Sequence, residues 1–206
     1  MMRLHSYVVA RDFGFAPNPF FGVCTLATCK PRIRSVAQIG DWIVGTGSKT
    51  NRREKHVVFA MRVTAAMSFE EYWEDPRFQL KKPNMRGSKK QAFGDNIYSR
   101  RGDTGVWLQA DSHHSFPNGR PNQLNIRTDT SANRVLASDD FVYWGGTGPE
   151  LPRRLLSYGS DQVTICAGRN HKNGFPSKLV QDFVDWVRSL NEAGYAGEPL
   201  DWCRTA

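Results

Sequence analysis

Short runs of apolar and β-branched residues, each closed by glycine, proline, Asn or Asp, give this chain a pattern of strands and turns. Leu4–Ala10 reads as a first strand, and Phe20–Cys29 as a second that Lys30-Pro31 closes. Trp42–Val44 reads as a third, ending in Gly45-Thr-Gly-Ser48. His56–Thr64 is apolar enough to be buried on both faces. Further strands are expected at Asn96–Tyr98, Gly105–Gln109, Arg134–Ala137, Asp140–Trp144 and Val163–Ala167. A short helical turn is expected over Ile33–Gln38, and a clear helical signal shows twice. Ser68-Phe-Glu-Glu71 is a capping box, so a short helix should run to Asp75 and stop at Pro76. Leu179, Val180, Phe183, Val187 and Leu190 recur at helical spacing between a capping Ser177 and Gly194. Residues 77–93 lack a period and are expected to form a long loop. Residues 125–130 are expected to be extended, which would set Arg127 and Asp129 on the same side. The fold expected is a single α+β domain over residues 1–206, a curved, barrel-like mixed sheet covered by the C-terminal helix.

Charge changes this picture more than length does. Eight basic residues (Arg77, Lys81, Lys82, Arg86, Lys89, Lys90, Arg100, Arg101) lie between Arg77 and Arg101 against one acid, Asp95. A second eight, from Lys30 to Arg62, face only Asp41 and Glu54. Clustered positive charge among aromatics suits a polyanion, nucleic acid or a nucleotide phosphate. Lys81, Lys82, Lys89, Lys90, Arg100 and Arg101 are the expected nucleic-acid contacts. Met1-Met-Arg-Leu-His-Ser6 passes straight into a strand-like run, and no apolar stretch approaches the roughly 20 residues that span a bilayer. A cytoplasmic protein without a membrane partner is expected. The four cysteines do not resemble a secreted disulfide framework. Cys24, Cys29, Cys166 and His171 could supply four zinc ligands, but a strand through Cys29 would point Cys24 and Cys29 to opposite faces. The thiols therefore read as core fillers, with no metal expected.

The catalytic motifs of hydrolases, zinc proteases and dinucleotide-binding folds are missing. Gly45-Thr-Gly-Ser48 could offer backbone N–H groups to a phosphate, or form a plain turn. Titratable groups in loop contexts leave Asp12, His114, Asp129 and His171 as candidate acids and bases. His114 is preferred to His113, because adjacent histidines in a strand diverge.

The segments Arg11-Asp12, Pro17-Asn-Pro19, Cys24-Thr25, Cys29-Lys30, Gly40-Asp-Trp-Ile-Val-Gly45, Gly94-Asp-Asn-Ile-Tyr98, Phe141-Val-Tyr143 and Gly168-Arg-Asn-His171 together resemble the second type of nucleotide modification associated domain. The resemblance spans nearly the whole chain. It implies a bacterial or phage protein linked to enzymes that modify DNA bases, with Asp12, Asn18, Lys30, Asp41, Asp95, Asn96, Tyr98, His114 and His171 as functional positions. Arg127 and Arg169 join Asn18, Lys30, Asp41, Asp95, Asn96 and Tyr98 as expected ligand contacts. The order of strands and helix is also loosely similar to PUA-like base-binding modules, an analogy of fold alone. The leading reading is a nucleotide- or DNA-binding protein of base modification, catalytic or not, with other modification enzymes as partners and no cofactor named. The alternatives are a non-catalytic reader of an extruded base and a partner-binding subunit with a basic surface. Asn18, Lys30, Asn96 and Tyr98 are expected around one cleft.

Overall fold

The computed structural model describes residues 2–102, 105–168 and 170–202. In chain order its elements are β1 (Leu4–Val8), β2 (Cys24–Leu26), α1 (Pro31–Val36), β3 (Trp42–Thr46), β4 (Val57–Arg62), β5 (Ala65–Met67), α2 (Phe69–Glu74), α3 (Lys89–Ala92) and β6 (Tyr98–Arg101). There follow β7 (Val106–Gln109), α4 (Gln123–Thr130), β8 (Val135–Ser138), β9 (Asp140–Tyr143), α5 (Arg153–Leu156), β10 (His171–Lys172), α6 (Ser177–Ser189) and β11 (Gly194–Tyr195). The chain divides into two compact units. One comprises Met1–Phe13, Ala37–Thr64 and Ser138–Ala206, the other Gly14–Val36 and Ala65–Ala137.

The first unit holds a six-stranded sheet in the order β10-β1-β3-β4-β9-β11. β1 runs parallel to β3, β4 is antiparallel to β3 and to β9, and β11 is parallel to β9. Residues 57–61 of β4 are all buried, as a central strand covered on both faces should be. Gly45 faces Phe59 across the β3–β4 pair, and a Cβ there would meet the phenyl ring at 2.3 Å. A Cβ on Gly47 would meet the Arg53 carbonyl oxygen at 2.5 Å. Both glycines of Gly45-Thr-Gly-Ser48 are thus required by close packing, without appeal to a phosphate.

The apolar stripe of α6 buries Leu179, Val180, Phe183, Trp186 and Val187 against Trp42, Val44, Ala60 and Val142 of the sheet. Each such side chain contributes roughly 1.5–3 kcal/mol by burial. At the end of α6, Arg188 donates two hydrogen bonds to Asp140, at 2.7 and 2.6 Å, and Arg62 adds a third at 2.7 Å. Arg188 first, then Arg62, hold the Asp140 carboxyl below its ordinary range despite burial. The sheet stays open. Its edges are the two-residue strands β10 and β11, and no closed barrel occurs among the described residues. The strand expected over Val163–Ala167 is reduced to one bridge, Tyr158 with Val163.

The second unit contains a three-stranded sheet, β2-β8-β5, the β6–β7 hairpin and helices α1 to α4. Ser68 and Glu71 close the expected capping box, and Asp75 ends α2. Residues 77–93 are more ordered than their lack of period suggests. A 3₁₀ turn spans Pro76–Lys81, and α3 carries its own capping box from Ser88 and Gln91. The larger departure is α4. The Asn122 side chain accepts from the N–H groups of Leu124 and Asn125 and starts a helix where an extended chain was expected. Ile126 and Asp129 are the buried residues of α4, while Leu124 is 70% exposed, so the helix leaves no apolar period to read. Residues two apart on a helix lie on nearly opposite sides. Arg127 therefore faces outward and Asp129 inward.

The second strand also ends earlier than expected. Cys29 and Lys30 adopt positive φ of 55° and 42°, which takes the chain out of β2 and into α1, with Pro31 as the first helical residue.

Candidate active site

Left-handed backbone at two successive non-glycine residues is uncommon and costs energy that surrounding contacts must offset. At Cys29 those contacts are visible. Its N–H donates to Asp129 Oδ1 at 2.8 Å, and its carbonyl accepts from Arg34 Nε at 2.9 Å. Arg34 is wholly buried. Its remaining nitrogens donate to the carbonyls of Asp129, Ala132 and Arg134, at and just beyond the end of α4. One guanidinium thus ties the Cys29 turn to α4, and burial pushes its pKa down to about 10, with Asp129 opposing.

Asp129 in turn is gripped on both oxygens. Oδ2 accepts from Tyr98 Oη at 2.7 Å and pairs with His114 Nδ1 at 2.8 Å. With Nδ1 committed to the carboxylate, His114 turns Nε2 to Cys29 Sγ, 3.6 Å away. Burial disfavours charge on His114, yet its hydrogen bonds to Asp129 and Cys29 outweigh that and raise its pKa to about 9. Phe15 packs on the His114 ring at 4.7 Å between centroids. The His114 carbonyl accepts from Asn125 Nδ2 at 2.7 Å and from Gln109 Nε2 at 3.3 Å. The imidazole is therefore held from its backbone, its face and its Nδ1. Cys29 and His114 remain half-buried while Asp129 is buried.

Thiol, imidazole and carboxylate, so ordered, form the arrangement of a nucleophile, its base and the group that orients the base. They also offer three potential metal-ligand atoms within 4.8 Å of one another. A cation there would be left with Sγ and Nε2, because Asp129 already binds the far side of the imidazole. Two ligands fall short of the three or four that zinc sites use.

Of the residues singled out in the sequence, His114, Asp129 and Tyr98 come together here, with Lys30 next to Cys29 in the chain. Asn18, Asp95 and Asn96 lie elsewhere in the same unit, fully buried. Lys81 Nζ donates to Asn18 Oδ1 at 2.7 Å and to its carbonyl at 3.1 Å. Asp95 accepts from Tyr72 Oη and Thr25 Oγ1, both at 2.7 Å. Asn96 Nδ2 donates to the Tyr72 and Phe78 carbonyls. Asn18 and Asn96 thus belong to the interior and not to a cleft. Lys81, 1% exposed, is no surface cation either. Lys89, Lys90 and Arg101 are exposed, and Lys82 lies over the Trp73 ring at 3.9 Å. Arg100 pairs with Glu70 at 2.6 Å and stacks on Trp107. Arg127 is exposed.

Asp12, Asp41 and His171 belong to the first unit. Asp12 accepts from Tyr143 Oη and from the Leu200 N–H, and so anchors the C-terminal segment. Burial pushes the Asp41 carboxyl up, but hydrogen bonds from Gln38, Arg3 and His5 outweigh it and hold it below its ordinary value. His171 sits on β10 opposite Tyr7. Arg169 lies outside the described residues. The sequence suggested Cys29 as a metal ligand or core filler, and neither as a partner of His114 nor with Arg34 as its support. Lys30-Pro31 was the available signal, since proline marks a helix start as well as a strand end.

A thiol–imidazole–carboxylate site in a mixed α/β chain is the class that fold and site define. No helix among the described residues is long and apolar enough to cross a membrane. The chain belongs to the nucleotide modification associated domain 2 family, whose model matches residues 1–206. Neither any curated protein nor any solved structure matches it.

Proposed function

We propose that this chain is a thiol-dependent enzyme that modifies a nucleotide or DNA base through a covalent adduct on Cys29. The relay from Asp129 through His114 to the Cys29 sulfur carries the reading. Its family membership supports the substrate class. Cys29 attacks an electrophilic carbon as the thiolate, the reactive form of cysteine. The new C–S bond moves an electron pair onto the leaving atom, and His114 gives that atom its Nε2 proton. Water or an amine then attacks the same carbon and returns a proton to Nε2, and sulfur departs as thiolate. Asp129 keeps the ring oriented throughout and favours its charged form. Lys30, with Lys82, Lys89, Lys90 and Arg101, serves to bind phosphate.

Mass spectrometry of nucleosides from DNA of cells making the wild-type or the Cys29→Ala protein tests this. A nucleoside that changes with the wild type and not with the variant is expected. Equal change with both proteins would overturn the role of Cys29. Equal binding of both to DNA with no chemical change would return the protein to the class of readers.

A further inference from the structure

The first unit holds a cavity of about 570 Å³ that the thiol site does not explain. That volume lies within the range of small-ligand pockets. Its wall joins four separate stretches: the end of β1, the turn after β3, the residues before β4 and the segment after α5. Val8, Leu156, Cys166 and Ala167 give it an apolar lining, while Ser48 and Thr164 add hydroxyls. Its exposed lining residues are Lys49, Lys55 and Gly168, so two lysines belong to the exposed part of the wall, with the half-buried Glu54 as the acid among the lining residues.

The wall is built rather than incidental. Ser48 Oγ accepts from the Asn51 N–H and fixes the short turn that bears Lys49. The Cys166 thiol donates to the Glu54 carbonyl at 3.2 Å, and the Cys166 N–H donates to Thr164 Oγ1 at 3.2 Å. The first bond ties the segment after α5 to the residues that carry Lys55, and the second lies within that segment. At Gly168 no atom of the described residues beyond its chain neighbours lies within 4 Å of where a Cβ would be.

An apolar chamber with two lysines in the exposed part of its wall fits a compact organic body that carries an anionic group. We infer that this cavity is a second binding site, for a nucleoside monophosphate, with the base against Val8, Leu156 and Cys166 and the phosphate between Lys49 and Lys55. Glu54 could accept a hydrogen bond from an exocyclic amine of the base. This inference stands apart from the Cys29 chemistry.

The test is calorimetric titration with dAMP and dTMP of Cys29→Ala protein, in which no covalent step adds heat, and the cavity variants below separate this site from the thiol site. Inorganic phosphate and the free nucleosides serve as the other arms. Saturable binding of a monophosphate is expected, with phosphate alone or nucleoside alone weaker by about tenfold or more. Replacing Lys49 and Lys55 together by Gln should weaken it by about tenfold or more. Ala167→Trp, which fills the chamber, should abolish it. Should Ala167→Trp fail to fold, the exposed lysine pair still decides the matter. No heat of binding with either monophosphate, or an affinity unchanged in the lysine double variant, would overturn the inference. Equal affinity for phosphate alone would overturn it too, reducing the site to a surface anion contact.

Discussion

Two buried polar networks in the second unit use nearly the same parts and end in opposite conditions. In one, Asp95 accepts from Tyr72 and Thr25, and Lys81 donates to Asn18. In the other, Asp129 accepts from Tyr98 and the Cys29 N–H and pairs with His114. Each has a carboxylate bonded to a tyrosine at 2.7 Å and a basic side chain nearby. The first is sealed. Lys81, Asp95, Asn18, Thr25 and Tyr72 are all buried, burial pushes Lys81 down to about 8, and burial pushes Asp95 up. The second is left open at one end, where the half-buried Cys29 sits on left-handed backbone and His114 is pushed up to about 9. Polar residues in a protein core are therefore not evidence of chemistry by themselves. Burial that stops short of the sulfur, together with local strain, separates the network proposed to be reactive from the sealed one.

The largest difference should appear in function against stability. Cys29→Ala should remove turnover, by on the order of 10³ or more, while the urea midpoint shifts little. Lys81→Ala should do the reverse, costing about 3–5 kcal/mol because it strands buried acceptors, read by urea denaturation. A Lys81 variant as stable as wild type would end the claim that this network holds the unit together.

Thiol reactivity comes next. Alkylation of Cys29, followed by peptide mass spectrometry, should outrun that of Cys166, whose thiol burial pushes up. Asp129→Asn should slow Cys29 by about a hundredfold or more, because the carboxylate that holds the imidazole in place is lost. Equal rates in wild type and Asp129→Asn would show that the relay does not act on sulfur.

The pH dependence should carry opposite signs. His114 binds its proton more tightly folded than unfolded, so its contribution is complete below about 6.5 and is lost as pH rises through about 9. Lys81 binds its proton less tightly when folded, so stability rises with pH from about 8 towards 10.5. Each contribution is on the order of 3 kcal/mol. Unfolding titrations of His114→Gln and Lys81→Met should each remove one limb; a curve unchanged in either variant would refute that assignment.

The smallest effect concerns the surface. If Lys82, Lys89 and Lys90 touch phosphates, replacing them with Ala should flatten the salt dependence of DNA binding by about 0.9 for each phosphate no longer neutralised. An unaltered slope would make them bystanders.

Those parts of the fold that local rules decide were legible in the sequence. The Ser68 capping box and the apolar stripe of α6 were readable because each depends on residues within a few positions of each other. His114 and Asp129 stood out as titratable groups in loop contexts, and Tyr98 through the family resemblance. Their grouping did not, since Cys29 and Asp129 are 100 residues apart in the chain and meet through α4, whose buried face holds one apolar residue. An alternating strand pattern also set Cys29 on the face opposite Cys24, and the thiols read as core fillers. The left-handed turn that redirects it depends on Arg34 and Asp129, and no neighbouring residue reports them.

Asp129 fastens the Cys29 backbone with one oxygen and the His114 ring with the other. Both jaws of a caliper are then mounted on a single beam. If α4 drifts by thermal motion, sulfur and imidazole are carried along together, and the gap between them is insulated from the drift. The backbone that carries the sulfur and the ring that faces it are referred to the same carboxylate.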